Sequence, residues 1–201
     1  MSRIGILGGT FNPIHNGHIQ MAKYSHDAAK LDKVILMPTF VPPHKESTNL
    51  VSCEHRLNMC RLACLNLPYA KVSDFEIKLE GKSYTYRTLE LLTSQNKNDE
   101  FFFIVGADMF LSMQNWKNPE IIFELATVIA IPRDKDSVSQ LSNHYENVLK
   151  KMGAKAIVLK DSVLTVSSTY IRDNIDNQSA LQSLIDSRVY NYIKENNLYR
   201  V

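Results

Sequence analysis

Arg3-Ile4-Gly5-Ile6-Leu7-Gly8-Gly9-Thr10-Phe11-Asn12-Pro13-Ile14-His15-Asn16-Gly17-His18 is the stretch from which the rest of the chain is read. Arg3–Leu7 is a short apolar run halted by two glycines, the pattern of a strand buried on both faces. Ile19, Ala22, Lys23, His26 and Ala29 then fall at helical spacing, so residues 17–31 read as a helix. A glycine-rich turn therefore joins a buried strand to a helix. Four of the chain's seven glycines lie within its first 17 residues, which points to unusual backbone or a close ligand approach there.

Working outward, strands are expected at residues 33–37, 70–75, 100–105, 127–131 and 155–159. Helices are expected at 52–66, 84–95, 138–152 and through most of 167–197, with another starting at Asn118-Pro119-Glu120. That last start has an Asn cap, Pro at the first helical position and an acid in the first turn. Thr39–Val51, with Pro42-Pro43-His44-Lys45, reads as a loop. Strands separated by helices imply βαβ units and a parallel sheet with right-handed crossovers. The expected fold is α/β, a Rossmann-like doubly wound parallel sheet with a helical C-terminal segment, in one domain over residues 1–201. Ligands in such sheets bind at the carboxyl ends of the strands.

Composition limits the function classes. The 201 residues are 44% hydrophobic and 22% charged, with 23 Lys plus Arg against 21 Asp plus Glu, a net charge of +2. So small an imbalance gives no global field for nucleic acid or an anionic membrane, and neither is an expected partner. No window approaches the ~18 apolar residues of a membrane span, and the N-terminus lacks the apolar core of a signal peptide. Three cysteines, an odd number, fit free thiols in a reducing cytoplasm. Leu57, Cys60 and Cys64 share a helix face, the spacing of small core residues. With no C-x-x-C pair, a zinc site is not expected even with His55 nearby.

The turn after the first strand is neither a dinucleotide-binding fingerprint nor a P-loop. Its glycine spacing is wrong for the first, and no Gly-Lys-Ser/Thr follows for the second. It places His15 and His18 three residues apart at the start of a helix, beside free amides and the positive end of the helix dipole. Imidazole donors, backbone donors and glycines together would receive a polyphosphate. Near the other end, Val166-Ser167-Ser168-Thr169-Tyr170-Ile171-Arg172 offers three hydroxyls at a helix start and an arginine one turn on. On the residues alone, the default reading of this second stretch is a capped helix with a solvated arginine. Asp108 reads as a helix cap or a ligand, Trp116 as core or site, and Lys45 as an ordinary loop lysine.

Gly8–His18 resembles the GT-F-x-P-x-H-x-GH signature of the nucleotidyltransferase superfamily, and Val166–Arg172 resembles its I-S-S-T-x-I-R. Between them, Val41-Pro42-Pro43-His44-Lys45, Ser83-Tyr84-Thr85-x-x-Thr88-Leu89, Gly106-Ala107-Asp108 and Trp116 resemble segments of the bacterial nicotinate-nucleotide adenylyltransferases, as does Val189-Tyr190-x-Tyr192-Ile193. The resemblance covers almost the whole chain. It implies adenylyl transfer from ATP to nicotinate mononucleotide, giving deamido-NAD and pyrophosphate in NAD biosynthesis.

By the same resemblance, His15, His18, Lys45 and Arg172 are expected to meet the phosphates and carry catalysis. Gly8, Gly9, Thr10, Phe11, Gly106, Asp108, Ser167, Ser168 and Thr169 would complete the ATP site. Lys45, Tyr84, Thr85 and Trp116 would hold the mononucleotide. Mg²⁺ is expected as cofactor, carried mainly by the ATP phosphates with no dedicated protein ligands, and a homodimer is the expected assembly. Departures from the family pattern are Asn12 for Asp, Arg87 for an acid, and Pro132-Arg133-Asp134 near the usual Arg-Pro-Gly. Rival readings are transfer to another phosphate acceptor such as phosphopantetheine, and a non-catalytic nucleotide-binding sensor.

Overall fold

The computed structural model describes residues 1–42 and 50–200. Its sheet contains β1 (Arg3–Gly9), β2 (Lys33–Pro38), β3 (Ala70–Val72), β4 (Glu100–Gly106), β5 (Thr127–Ile131) and β6 (Ala156–Val158). All neighbouring pairs are parallel and the order is β3-β2-β1-β4-β5-β6. The chain runs outward from β1 to β3 on one side and then crosses back to β4 on the other. Its topological switch point therefore lies between β1 and β4, whose carboxyl ends are Gly8-Gly9 and Gly106.

Period-two alternation within each strand divides the core into two. Ile4, Ile6, Phe101, Phe103, Val105, Val128 and Ala130 face one side, and Leu7, Val34, Leu36, Phe102, Ile104 and Ile129 the other. The first side is covered by α4 (Thr85–Gln95), α5 (Ala107–Ser112), α6 (Pro119–Leu125) and α7 (Lys135–Asn147). The second is covered by α1 (Asn16–Ala29) and α2 (Cys53–Cys64) and by the C-terminal α8 (Ser168–Asp173), α9 (Gln178–Leu181) and α10 (Ser187–Glu195). Cys60 and Cys64 are buried in this second core and all three cysteines are free. Burial pushes the Cys64 thiol up to about 11.

Some element limits differ from the sequence expectation, each for a local reason. The expected 70–75 strand stops at Val72 because the Ser73 hydroxyl accepts the Phe75 N–H, opening the short α3 (Phe75–Leu79). The expected 138–152 helix starts earlier, at Lys135, because Asp134 caps it through the Ser137 N–H at 2.8 Å. Asn118 stands at the expected N-cap of α6, but its side chain makes no cap bond. Its backbone is left-handed (φ 51°), a conformation asparagine tolerates better than most residues. Among the described residues no helix is long and apolar enough to cross a membrane.

Leu89 of α4 is fully buried in the first core, behind the segment that begins at Tyr84. Leu89→Ala should cost about 2–5 kcal/mol of stability, read as a lowered denaturant midpoint at unchanged slope. An unmoved midpoint would show that this face is loosely packed.

Candidate active site

A cleft of about 690 Å³ opens at the carboxyl ends of the central strands. His15, Gly17 and His18 line it from α1, Gly106 and Asp108 from the end of β4, Arg133 from the loop after β5, and Ser167 from the start of α8. Met21, Met109, Ile131 and Leu164 give it apolar walls. Imidazoles and charged groups set among apolar walls suit a ligand that is part phosphate and part flat ring.

The histidine pair is built by the turn. Phe11 is buried at 1% exposure with a left-handed backbone (φ 47°), a strained state that persists because its ring is packed. That ring lies so close to Gly9 that a Cβ there would meet it at 2.9 Å, which is why glycine is needed. The Phe11 ring also meets His18 edge-on at 5.0 Å. His15 is the N-cap of α1 in extended conformation, and its ring stacks on His18 with centroids 3.6 Å apart. The His15 backbone N–H donates to His18 Nδ1 at 3.3 Å, which leaves Nε2 to carry the proton of a neutral His18 ring. Gly17 permits a second close approach, since a Cβ there would come within 2.9 Å of the Leu164 carbonyl oxygen.

His15 is 7% exposed and its Nδ1 has no partner among the described residues. Burial lowers its pKa from the ordinary 6.5 to about 4, so the ring is neutral at pH 7. Asp108 is in the first turn of α5, whose N-cap is Gly106, so the carboxylate does not cap that helix. It pairs with Arg133 across the cleft mouth. Arg133 is a site-lining cation absent from the sequence-based expectation, because Pro132-Arg133-Asp134 departs from the family's Arg-Pro-Gly there.

The second motif takes a position the sequence did not foretell. The Ser168 hydroxyl donates to the Pro13 carbonyl at 2.9 Å, and Arg172 Nη1 donates to the Asn12 carbonyl at 2.8 Å. Arg172 Nη2 also donates to Thr169 Oγ1, and Ser167 Oγ caps α8 through the Tyr170 N–H. These side chains clasp the first motif. Arg172 lines a different cavity, of about 830 Å³, with Tyr199 and Arg200. Gly8, Gly9, Thr10 and Phe11 run along the end of β1 and form no part of the histidine cleft's lining.

Among the expected mononucleotide residues, Tyr84 is the N-cap of α4 and Thr85 its first residue. The Lys117 ammonium lies over the Tyr84 ring at 4.6 Å, so the Tyr84 and Trp116 segments are neighbours. Trp116 is half-buried, edge-on to Phe103, and its indole N–H donates to Ser112 Oγ at 3.3 Å. Beneath Tyr84, the Thr88 hydroxyl donates to buried Glu76 at 2.8 Å. Lys45 lies outside the described residues.

Comparison with known proteins defines the class first. Residues 6–174 match the cytidylyltransferase-like family model, and the chain belongs to that family of nucleotidyl-transferring folds. Two full-length relatives carry the name "Probable nicotinate-nucleotide adenylyltransferase". That from Citrifermentans bemidjiense is 37% identical with 98% of each chain covered, and that from Clostridium tetani is 36% identical over the whole of both. Within its class, then, the chain is a member of the nicotinate-nucleotide adenylyltransferase family. The fold agrees with a Plasmodium falciparum nicotinic acid mononucleotide adenylyltransferase, solved in complex with APC and again with NaAD. In each case the TM-score is 0.77 at 20% identity, covering 99% of this chain and 98% of that one.

Burial of neutral His15 makes stability depend on pH. Between about 6.5 and about 4 the unfolded chain takes up a proton that folded His15 refuses, so stability falls as pH falls through that window. At 1.36 kcal/mol per pH unit the full span is roughly 3 kcal/mol. His15→Asn should flatten the acid limb of a plot of unfolding free energy against pH. Parallel limbs for the two proteins would mean that His15 titrates normally.

Proposed function

We propose that this chain transfers the adenylyl group of ATP to nicotinate mononucleotide, releasing pyrophosphate and forming deamido-NAD in NAD biosynthesis. The observation that carries nucleotidyl transfer is the stacked His15–His18 pair at the switch point of the sheet. The full-length relatives support nicotinate mononucleotide as the acceptor. One domain, residues 1–201, would do the work, and its three free thiols support a reducing cytoplasm as the compartment. The assembly we propose is a homodimer.

The chemistry needs no protein base. An acceptor phosphate monoester, with a second pKa near ~6, is largely a dianion at pH 7. One of its oxygens attacks the α-phosphorus of ATP. A new P–O bond forms in line as the bond to the bridging α–β oxygen breaks, and pyrophosphate leaves with that electron pair. The protein's part is alignment and stabilisation of the charge that moves to the leaving oxygens. His18 is proposed to donate from Nε2–H to those oxygens. Being neutral, His15 stabilises them by its dipole and by holding the His18 ring. Lys45 is assigned to the phosphates, and Arg172, which fixes the loop through Asn12 and lines a different cavity, is assigned to them through its charge. The apolar wall formed by Met21, Met109 and Ile131 suits the adenine.

Mg²⁺ fits this donor set. Two imidazoles and a single carboxylate, Asp108, make a poor cage, but Asp108 could hold the water shell of an ion carried on the ATP phosphates. When bound, the ion would offset phosphate charge and leave the protein donors to act on the leaving group.

Pyrophosphate release from Mg·ATP, assayed separately with nicotinate mononucleotide, nicotinamide mononucleotide and phosphopantetheine, tests the reading. The nicotinate compound should be at least tenfold better than its amide, about 1.4 kcal/mol in transition-state terms. Turnover with phosphopantetheine alone would replace the acceptor, and silence with ATP still bound would favour a sensor. His18→Ala should lose about 10²–10³-fold in kcat, and a near-normal rate would remove it from the chemistry. Trp116→Ala should raise KM for the mononucleotide well above any change for ATP. An equal rise for both would place the indole elsewhere.

A further inference from the structure

Arg56 of α2 is 0% exposed, the largest fully buried side chain among the described residues. Taking a guanidinium out of water costs several kcal/mol unless its donors are satisfied. Here Nη1 donates to the Thr10 carbonyl at 2.9 Å, Nε to the Val51 carbonyl at 3.3 Å, and Nη2 to the Phe40 carbonyl at 3.3 Å and to Cys53 Sγ at 3.1 Å. No ion pair with a carboxylate of the described residues is formed. Packing alone would be met by an apolar side chain of similar size, such as the Leu57 and Met59 beside it.

What an apolar residue could not do is join three backbone segments that are far apart in sequence. Thr10 belongs to the histidine-bearing turn, while Phe40 and Val51 flank the stretch that contains Lys45. The Phe40 peptide is held from its other side too, its N–H donating to Ser83 Oγ at 3.0 Å. Ser83 immediately precedes Tyr84 and Thr85. The planar guanidinium fork satisfies all these acceptors only when the segments stand in one relative position.

We propose that Arg56 is a positioning residue for adenylyl transfer, fixing the phosphate-binding turn relative to the segments that carry the mononucleotide site. This rests on the adenylyltransferase reading given above. Arg56 touches neither substrate. Its effect is on the alignment of two bound reactants, where displacement of about 1 Å can cost about 10²-fold in rate. Substrate affinity, set by groups in each half of the site, should change little.

Arg56→Lys and Arg56→Gln test this by three measurements on the full chain: the unfolding midpoint, kcat with KM for each substrate, and hydrogen exchange. Arg56→Lys keeps the charge but cannot span three carbonyls. It should lower kcat at least tenfold per folded molecule, with less than threefold change in either KM. Exchange should quicken together in residues 10–13, 39–42 and 50–52 and stay unchanged in α6 and α7. Arg56→Gln should be no better.

A wild-type kcat in the lysine variant would overturn the proposal, since charge or fold alone would then suffice. So would unaltered exchange in those segments, or variants that do nothing except unfold. Silence of the wild-type chain with nicotinate mononucleotide would overturn the acceptor, and exchange would still decide the clamp.

Discussion

Three backbone carbonyls within four residues, those of Thr10, Asn12 and Pro13, are each held by a side chain from far along the chain. The donors are Arg56, Arg172 and Ser168. An irregular loop at a ligand site has peptide groups that no sheet or helix satisfies, and each left buried and unpaired costs about 1–3 kcal/mol. Here those acceptors are met by side chains from α2 and α8, which hold the loop that presents the His15–His18 pair to the cleft. The strained Phe11 backbone is retained on the same terms, its ring packed over Gly9 and against His18.

The arrangement explains the separation of the two sequence motifs. In a parallel sheet with right-handed crossovers, a chain that starts on a central strand must lay down both flanks before its C-terminal segment can return to that strand's carboxyl end. β1 is central in this sheet, and the returning segment is α8, which delivers Ser168 and Arg172 to the loop after β1. α10 is tied to α2. Its Tyr192 hydroxyl is paired with His55 at 2.9 Å and accepts from Asn58 at 3.2 Å, both on the helix that carries Arg56. One helix, α2, thus holds both the loop, through Arg56, and the C-terminal helix α10, through Tyr192.

Much of this was legible in the sequence, and what was not shares a cause. The six strands were readable because buried parallel strands are continuous apolar runs, and the glycine turn because its composition is so uneven. The short α3 and α5 were missed because five or six residues hold too few turns for a helical period to register. Arg56 stood inside a helical pattern with no signal of its role, since its partners are carbonyl oxygens that every residue possesses. The Asp108–Arg133 pair was hidden in the same way, by a contact that only the fold creates. The second motif was recognised, yet the acceptors of Ser168 and Arg172, again carbonyls, could not be read from it. Side-chain chemistry can be read along a chain, whereas backbone acceptors become partners only in three dimensions.

The Asn12 departure fits the same picture. Its Oδ1 accepts from the Val51 N–H at 3.3 Å and from the Tyr199 hydroxyl at 2.9 Å, bonds a carboxylate would also make, so the turn survives the exchange. What changes is the charge. The two arginines that hold the loop, Arg56 and Arg172, are paired with carbonyl dipoles, a cysteine sulfur and a hydroxyl. An acid at position 12 would have countered them in part. With asparagine, the rear of the loop keeps its full positive charge close to where a polyphosphate would sit, where low dielectric extends its reach. A single neutral side chain thereby leaves two structural cations to contribute to the field of the site.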